Sequence, residues 1–152
     1  LKRDDLNVSV KDEDGESPLL YVAATCRIQF VEALVKHGAD LKEKDSRGRT
    51  ALHIAIHNFK PTANTSFDLI DLLVKLGIDT NAVDNEGKTA LHYCFVKDND
   101  YYGRYSAMDP IDLVSRLCAF DGTKVDLKDS EGRTPLYYAS LRGSAISALH
   151  LL

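Results

Sequence analysis

One phrase written four times constrains this chain more than anything else in its sequence. Gly15-Glu16-Ser17-Pro18-Leu19-Leu20-Tyr21-Val22-Ala23 returns as Gly48-Arg49-Thr50-Ala51-Leu52-His53-Ile54-Ala55-Ile56, then as Gly87-Lys88-Thr89-Ala90-Leu91-His92-Tyr93-Cys94-Phe95 and as Gly132-Arg133-Thr134-Pro135-Leu136-Tyr137-Tyr138-Ala139-Ser140. An Asp stands three residues before each Gly: Asp12, Asp45, Asp84 and Asp129. The Gly-to-Gly spacings are 33, 39 and 45 residues, so the unit is 33 residues long, with 6 extra in the second copy and 12 in the third. A unit this short buries its apolar face only against its neighbours, which predicts a stacked array.

Each copy carries the punctuation of two helices. Ser17, Thr50, Thr89 and Thr134 are good N-caps, and Pro18 and Pro135 fall at the first helical position, where no amide is needed. Inner helices are expected to start there. Apolar residues at three-to-four spacing mark an outer helix as core: Ile28, Val31, Leu34 and Val35, then Ile70, Leu73 and Val74, then Val114, Leu117 and Cys118, then Ala148, Leu151 and Leu152. Gly38 and Gly77 stand where a left-handed residue ends a helix, and Gly122 does so one residue late. In the third copy the inner helix is expected to end near Val96-Lys97, and the outer one to start at Asp109-Pro110, with Asp109 as cap.

A 33-residue unit reading Asp-x-x-Gly-x-Thr-Pro-Leu-His-x-Ala resembles the ankyrin repeat, a β-turn followed by two antiparallel helices. The resemblance covers the whole chain. A second signature recurs as Gly38-Ala39-Asp40-Leu41, Gly77-Ile78-Asp79-Thr80 and Gly122-Thr123-Lys124-Val125. Leu20 and Tyr137 replace the family His, Ser17 replaces Thr, and Cys26 stands where the family usually has the Gly that Gly143 supplies. The resemblance implies an all-α fold, a solenoid of stacked helix-turn-helix units with β-turn or hairpin fingers. Its expected divisions within a single domain, 1–152, are the end of a preceding repeat (1–11), repeats at 12–44, 45–83 and 84–128, the last two with insertions, and a truncated repeat at 129–152. Leu149, Leu151 and Leu152 would leave an apolar stripe open, so the sequence reads as a piece of a longer protein; the alternative is a complete chain disordered at both ends.

Composition narrows the function classes. Of 152 residues, 44% are hydrophobic and 28% charged, with a net charge of -4 and no apolar run of membrane-spanning length, which fits a soluble, monomeric chain. Positive charge is scattered among acids, so neither nucleic acid nor membrane is the expected partner. Cys26, Cys94 and Cys118 are odd in number and form no C-x-x-C, which favours a reducing, intracellular setting in cytoplasm or nucleus. Asn7-Val8-Ser9 and Asn64-Thr65-Ser66 match the glycosylation pattern by chance.

No catalytic, cofactor or metal site is expected, and the segment is not read as an enzyme. His53 and His57 are one helical turn apart, but a two-ligand site lacking a third is weak. The resemblance instead makes His53 and His92 structural ties to the capping hydroxyls of Thr50 and Thr89. Cys94 falls in a small-residue column with Val22, Ala55 and Ala139 and reads as a packed thiol, as does Cys118. The acidic runs Asp12-Glu13-Asp14 and Asp98-Asn99-Asp100 lack a calcium loop's glycine and spacing. His37 is placed to favour a helix C-terminus, and His150 to face solvent.

A surface remains. In the family the turn tips and inner helices build a concave face that binds partner proteins or peptides. The tips correspond to Glu13, Asp14 and Glu16, Arg47 and Arg49, Glu86 and Lys88, and Glu131 and Arg133. The inner-helix column is Tyr21, Ile54, Tyr93 and Tyr138, with His57 nearby; it either meets a partner or packs between neighbouring helices. The insertion at 98–108 holds Tyr101, Tyr102, Arg104 and Tyr105, which either contact a partner or fold back over the outer side. Asn81 corresponds to a turn asparagine hydroxylated in the family. Two further readings are a substrate-recruiting or regulatory segment of a larger enzyme and a structural spacer packing on its own chain.

Overall fold

The computed structural model describes residues 8–13, 15–59, 64–96 and 110–152, which form two compact units, Leu1–Asp79 and Thr80–Leu152. All regular structure among the described residues is helical.

The first unit holds α1 (Pro18–Thr25), a 3-10 turn (Ile28–Phe30) leading into α2 (Val31–Lys36), α3 (Ala51–His57) and α4 (Asn64–Lys75). α1 packs on α2 and α3, and α3 packs on α4. Leu19, Leu20, Val31, Leu52, Leu69, Ile70 and Leu73 are fully buried between them. A buried leucine or valine of this kind contributes about 1.5–3 kcal/mol. Two helix ends share one geometry: Gly38 (φ 97°) and Gly77 (φ 95°) are left-handed, and the next amides, of Ala39 and Ile78, return to Leu34 and Leu73 carbonyls. The outer stripe is less buried than its spacing implies. Val31 is sealed, while Leu34 and Val35 of the same helix are half-buried, as is Ile28, which the 3-10 turn takes out of the helical register.

The second unit holds α5 (Ala90–Tyr93), α6 (Ile111–Cys118), α7 (Pro135–Arg142) and α8 (Ala145–Leu149). α5 packs on α7, α6 on α8, and α7 on α8, around Leu91, Phe95, Val114, Leu117 and Ala139. Three expectations shift here. α5 stops at Tyr93, not at Val96-Lys97, because the Cys94 and Phe95 amides turn to carbonyls three residues back and tighten the chain. α6 begins at Ile111 with Pro110 in the cap position, one residue later than expected, its carbonyl accepting the Val114 amide at 2.9 Å; Asp109 lies outside the described residues. Leu152 is no core residue. α8 ends at Leu149, so helical spacing no longer directs the last residues: Leu151 turns inward and Leu152 is 88% exposed.

Candidate functional site: the turn tips and inner helices

Each Asp-x-x-Gly turn is built by its own aspartate. Asp45 Oδ1 accepts the Arg47 amide at 2.9 Å and the Arg49 amide at 2.8 Å, while the Asp45 amide donates to the Arg49 carbonyl and Gly48 to the Asp45 carbonyl, both at 3.0 Å. Asp84 and Asp129 repeat this pattern, and Asp12 Oδ1 accepts the Glu16 amide at 2.8 Å. The glycine closing each turn has φ between 76° and 79°, the left-handed region that a side chain resists.

With the turn held by backbone and one carboxylate, its two middle side chains are not needed for its shape. Glu13, Arg47, Glu86 and Glu131 project at these tips and are exposed. The residue after the glycine behaves differently. Arg49 Nε lies 2.7 Å from Asp45 Oδ2, Arg133 Nε 3.0 Å from Asp129 Oδ2 and Nη1 2.6 Å from Glu131, and Lys88 pairs with Glu86. These three cations fold back onto their own turns, and Glu16 is half-buried; the sequence counted all four with the open tips.

The inner-helix column divides. Ile54 is 3% exposed and belongs to the core, so it is no surface contact: α3 is buried along nearly its whole length. Tyr21 is 49% exposed, with the Arg27 guanidinium 5.9 Å from its ring. Tyr93 and Tyr138 are half-buried and their hydroxyls donate to Asp84 Oδ2 and Asp129 Oδ2, each at 2.7 Å. Sequence reasoning missed this tie: a Tyr stands nine residues after the turn Asp here, but also in the first copy, where Tyr21 is exposed, so spacing alone does not identify it. Arg133 sits over the Tyr138 ring at 5.0 Å and Lys88 at 5.9 Å. Burial works to raise the Asp129 pKa, but hydrogen bonds from the Arg133 amide, the Tyr138 hydroxyl, the Arg133 guanidinium and the Glu131 amide outweigh it and hold the carboxyl well below the usual range. Burial and then the bond to Asp129 push the Tyr138 phenol well above its ordinary value.

The motif histidines are tied as the resemblance implies. The Thr50 amide donates to His53 Nδ1 at 3.2 Å with the Thr50 hydroxyl 2.8 Å from the same nitrogen; Thr89 and His92 match at 3.0 and 2.9 Å. His92 Nε2 adds a bond to the Arg133 carbonyl at 3.1 Å. The hydroxyls of Thr50 and Thr89 also take the first-turn amide, closing a capping box, and where His is replaced the hydroxyl caps alone: Ser17 accepts the Leu20 amide at 3.5 Å and Thr134 that of Tyr137 at 3.4 Å. His57 is half-buried. Among the described residues no three His, Cys, Asp or Glu side chains are grouped to hold a metal ion, and no helix is long and apolar enough to cross a membrane.

Cys94 is buried in its small-residue column, and burial pushes its thiol far above the ordinary range. Cys118 is only half-buried, not the packed core thiol its column implied, because that column runs along the edge of the outer helices. Asn81 is a cross-link: Nδ2 donates to the Gly122 carbonyl and Oδ1 accepts the Lys124 amide, both at 2.8 Å. Asp14, Tyr101, Tyr102, Arg104 and Tyr105 lie outside the described residues.

Four turns and the helix pairs that follow them define a helical-repeat protein. The chain belongs to the ankyrin repeat family, whose model for ankyrin repeats in three copies matches residues 2–80. It is 44% identical to chicken (Gallus gallus) inversin over 45 residues, 30% of this chain and 4% of that protein. It is 45% identical over 42 residues, 28% of this chain and 6% of each protein, to human transient receptor potential cation channel subfamily V members 5 and 6. The match spans only a small part of the length of these curated relatives. Ankyrin repeats are in general protein–protein interaction modules and are typically non-enzymatic.

Proposed function

We propose that this chain is an interaction module that binds a partner protein or peptide through its turn tips and the exposed part of its inner helices. One observation carries the reading: the hydrogen bonds that hold the turns are alike from copy to copy, while the exposed side chains they display set one arginine, Arg47, among three glutamates, Glu13, Glu86 and Glu131. Turns held by their own hydrogen bonds suit recognition, because little conformational entropy of each turn is lost when the partner docks. Tyr21 adds a large half-exposed aromatic surface of the type favoured in binding hot spots. Lys88 and Arg133 pair with the displayed Glu86 and Glu131; Arg49, Tyr93 and Tyr138 tie to the turn aspartates, and His57 is a further contact in this reading. The segment 98–108 is a second contact in this reading, the setting is intracellular, in keeping with three free thiols, and Asn81 is the position for hydroxylation.

The test is affinity capture with this chain as bait, followed by direct titration of the captured protein. Arg47→Glu, Glu131→Lys and Tyr21→Ala, each confirmed folded by circular dichroism, are expected to weaken binding at least tenfold in one or more cases. Unaltered affinity in all three would move the interface elsewhere.

A further inference from the structure

His92 is a buried imidazole with both nitrogens committed and with opposite polarity. Nδ1 receives the Thr89 amide, and Nε2 donates to the Arg133 carbonyl. Such a ring is neutral, because Nδ1 cannot hold a proton and also accept an N–H. The helix it caps, α5, is four residues long, and a single helical turn depends heavily on its cap because nucleation is unfavourable. Its far end is held by Arg142 Nη1 on the Cys94 carbonyl at 3.1 Å.

We propose that His92 is an acid-sensitive latch within the second unit: protonation at Nδ1 converts an acceptor into a donor, which the Thr89 hydroxyl 2.9 Å away can receive but the Thr89 amide cannot, so the amide loses its partner and the cap of α5 loosens. Charged groups face the ring from both turns, Asp84 and Lys88 on one side and Asp129 on the other, where Arg133 contributes its carbonyl, and Tyr138 of α7 packs edge-on at 5.6 Å. Burial dominates. Although the Arg133 carbonyl and the carboxylates of Asp129 and Asp84 favour the imidazolium, burial holds the ring below its ordinary value of 6.5. Below that value the unfolded chain takes up the proton before the folded one, so stability falls as pH drops.

Two measurements on the chain decide the matter. Side-chain ¹⁵N NMR is expected to show His92 still as the neutral Nε2–H tautomer at pH 6.5, and its protonation at lower pH to raise amide exchange in α5 at least tenfold more than in α1. Urea midpoints from pH 7.5 to 5.0 are then compared with those of His92→Gln, whose side chain can still reach back to the Thr89 amide without titrating. The variant is expected to lose at least half of the acid-induced fall. A ring half-protonated at or above pH 6.5, exchange that rises no more in α5 than in α1, or a variant retaining the full pH dependence would each overturn the latch. The NMR titration needs only the unaltered chain, so it decides even if the variant does not fold.

Discussion

Cys26 holds the same left-handed backbone as Gly143. The two have φ of 57° and 73°, and after each the next amide, of Arg27 or Ser144, returns to the carbonyl five residues back. An L side chain in this conformation costs about 1–2 kcal/mol. Glycine's greater freedom in the unfolded chain offsets about 0.4–1 kcal/mol of the relief. Cys26→Gly, which also gives up the contact of Sγ with Ser66 Oγ at 3.7 Å, is therefore expected to stabilise the fold by no more than about 0.5 kcal/mol. At Gly143 an added Cβ meets nothing within 4 Å, so Gly143→Ala sets the same strain against the same unfolded-chain offset and is expected to cost about 0.5 kcal/mol. Urea midpoints check both, and a neutral Gly143→Ala would refute the strain argument.

The threonine–histidine ties predict a graded series. His53→Ala removes the acceptor of the Thr50 amide inside a buried cap and is expected to cost about 1–3 kcal/mol. His53→Gln is expected to recover part of that loss by closing the same capping box with its side-chain oxygen. Equal losses in the two variants, measured by thermal or urea unfolding, would mean that ring packing and not the hydrogen bond sets the cost.

Asn81 uses an acceptor and a donor together, so turning the donor into an acceptor is informative. Asn81→Ala is expected to cost about 1 kcal/mol for two partly exposed bonds. Asn81→Asp keeps the acceptor for Lys124 but turns a carboxylate oxygen toward the Gly122 carbonyl, and is expected to cost at least as much as Ala at neutral pH. Lowering the pH to protonate that carboxyl should narrow the gap, which a denaturation series at two pH values would reveal.

Asp129 and Tyr138 bracket stability at opposite ends of the pH scale. The Asp129 carboxyl is held below its ordinary value of 3.8, so its contribution is full above that value and is lost as acid protonates it in the folded state. The Tyr138 phenol is held above its ordinary value of 10.0, so its contribution is full below that value and fades as pH rises beyond it. Tyr138→Phe is expected to flatten the alkaline limb of a stability–pH curve and to weaken the acid limb in part. A variant with both limbs unchanged would place the Tyr138–Asp129 bond among contacts of no energetic weight.

The parts of this fold legible in the sequence are those governed by short-range backbone chemistry. Asp12, Asp45, Asp84 and Asp129 mark turns because a carboxylate can bridge amides two and four residues ahead, and Ser17 or Thr50 mark helix starts because a hydroxyl fits the first turn. Other features depend on where side chains meet in space. The column of Tyr21, Ile54, Tyr93 and Tyr138 suggested an aromatic face, but whether a hydroxyl finds an aspartate or a ring faces solvent is decided by tertiary packing. Arg49, Lys88 and Arg133 looked like tip charges because spacing does not say that a long cation will fold back onto an acid. Ile54 shared a column with tyrosines yet is sealed, since α3 is buried on nearly every side.

Gly87 lies so close to the following turn that a Cβ there would stand 2.8 Å from the Ser130 nitrogen, itself donating to the Glu86 carbonyl at 2.8 Å. The finger tips of this unit therefore work like keys on a fixed comb: the letters at 85, 86, 130 and 131 can be rewritten, whereas the spine at 87 cannot. A selection library randomised at those four letters should stay folded and yield new recognition specificities, and the same library extended to 87 should return glycine almost every time.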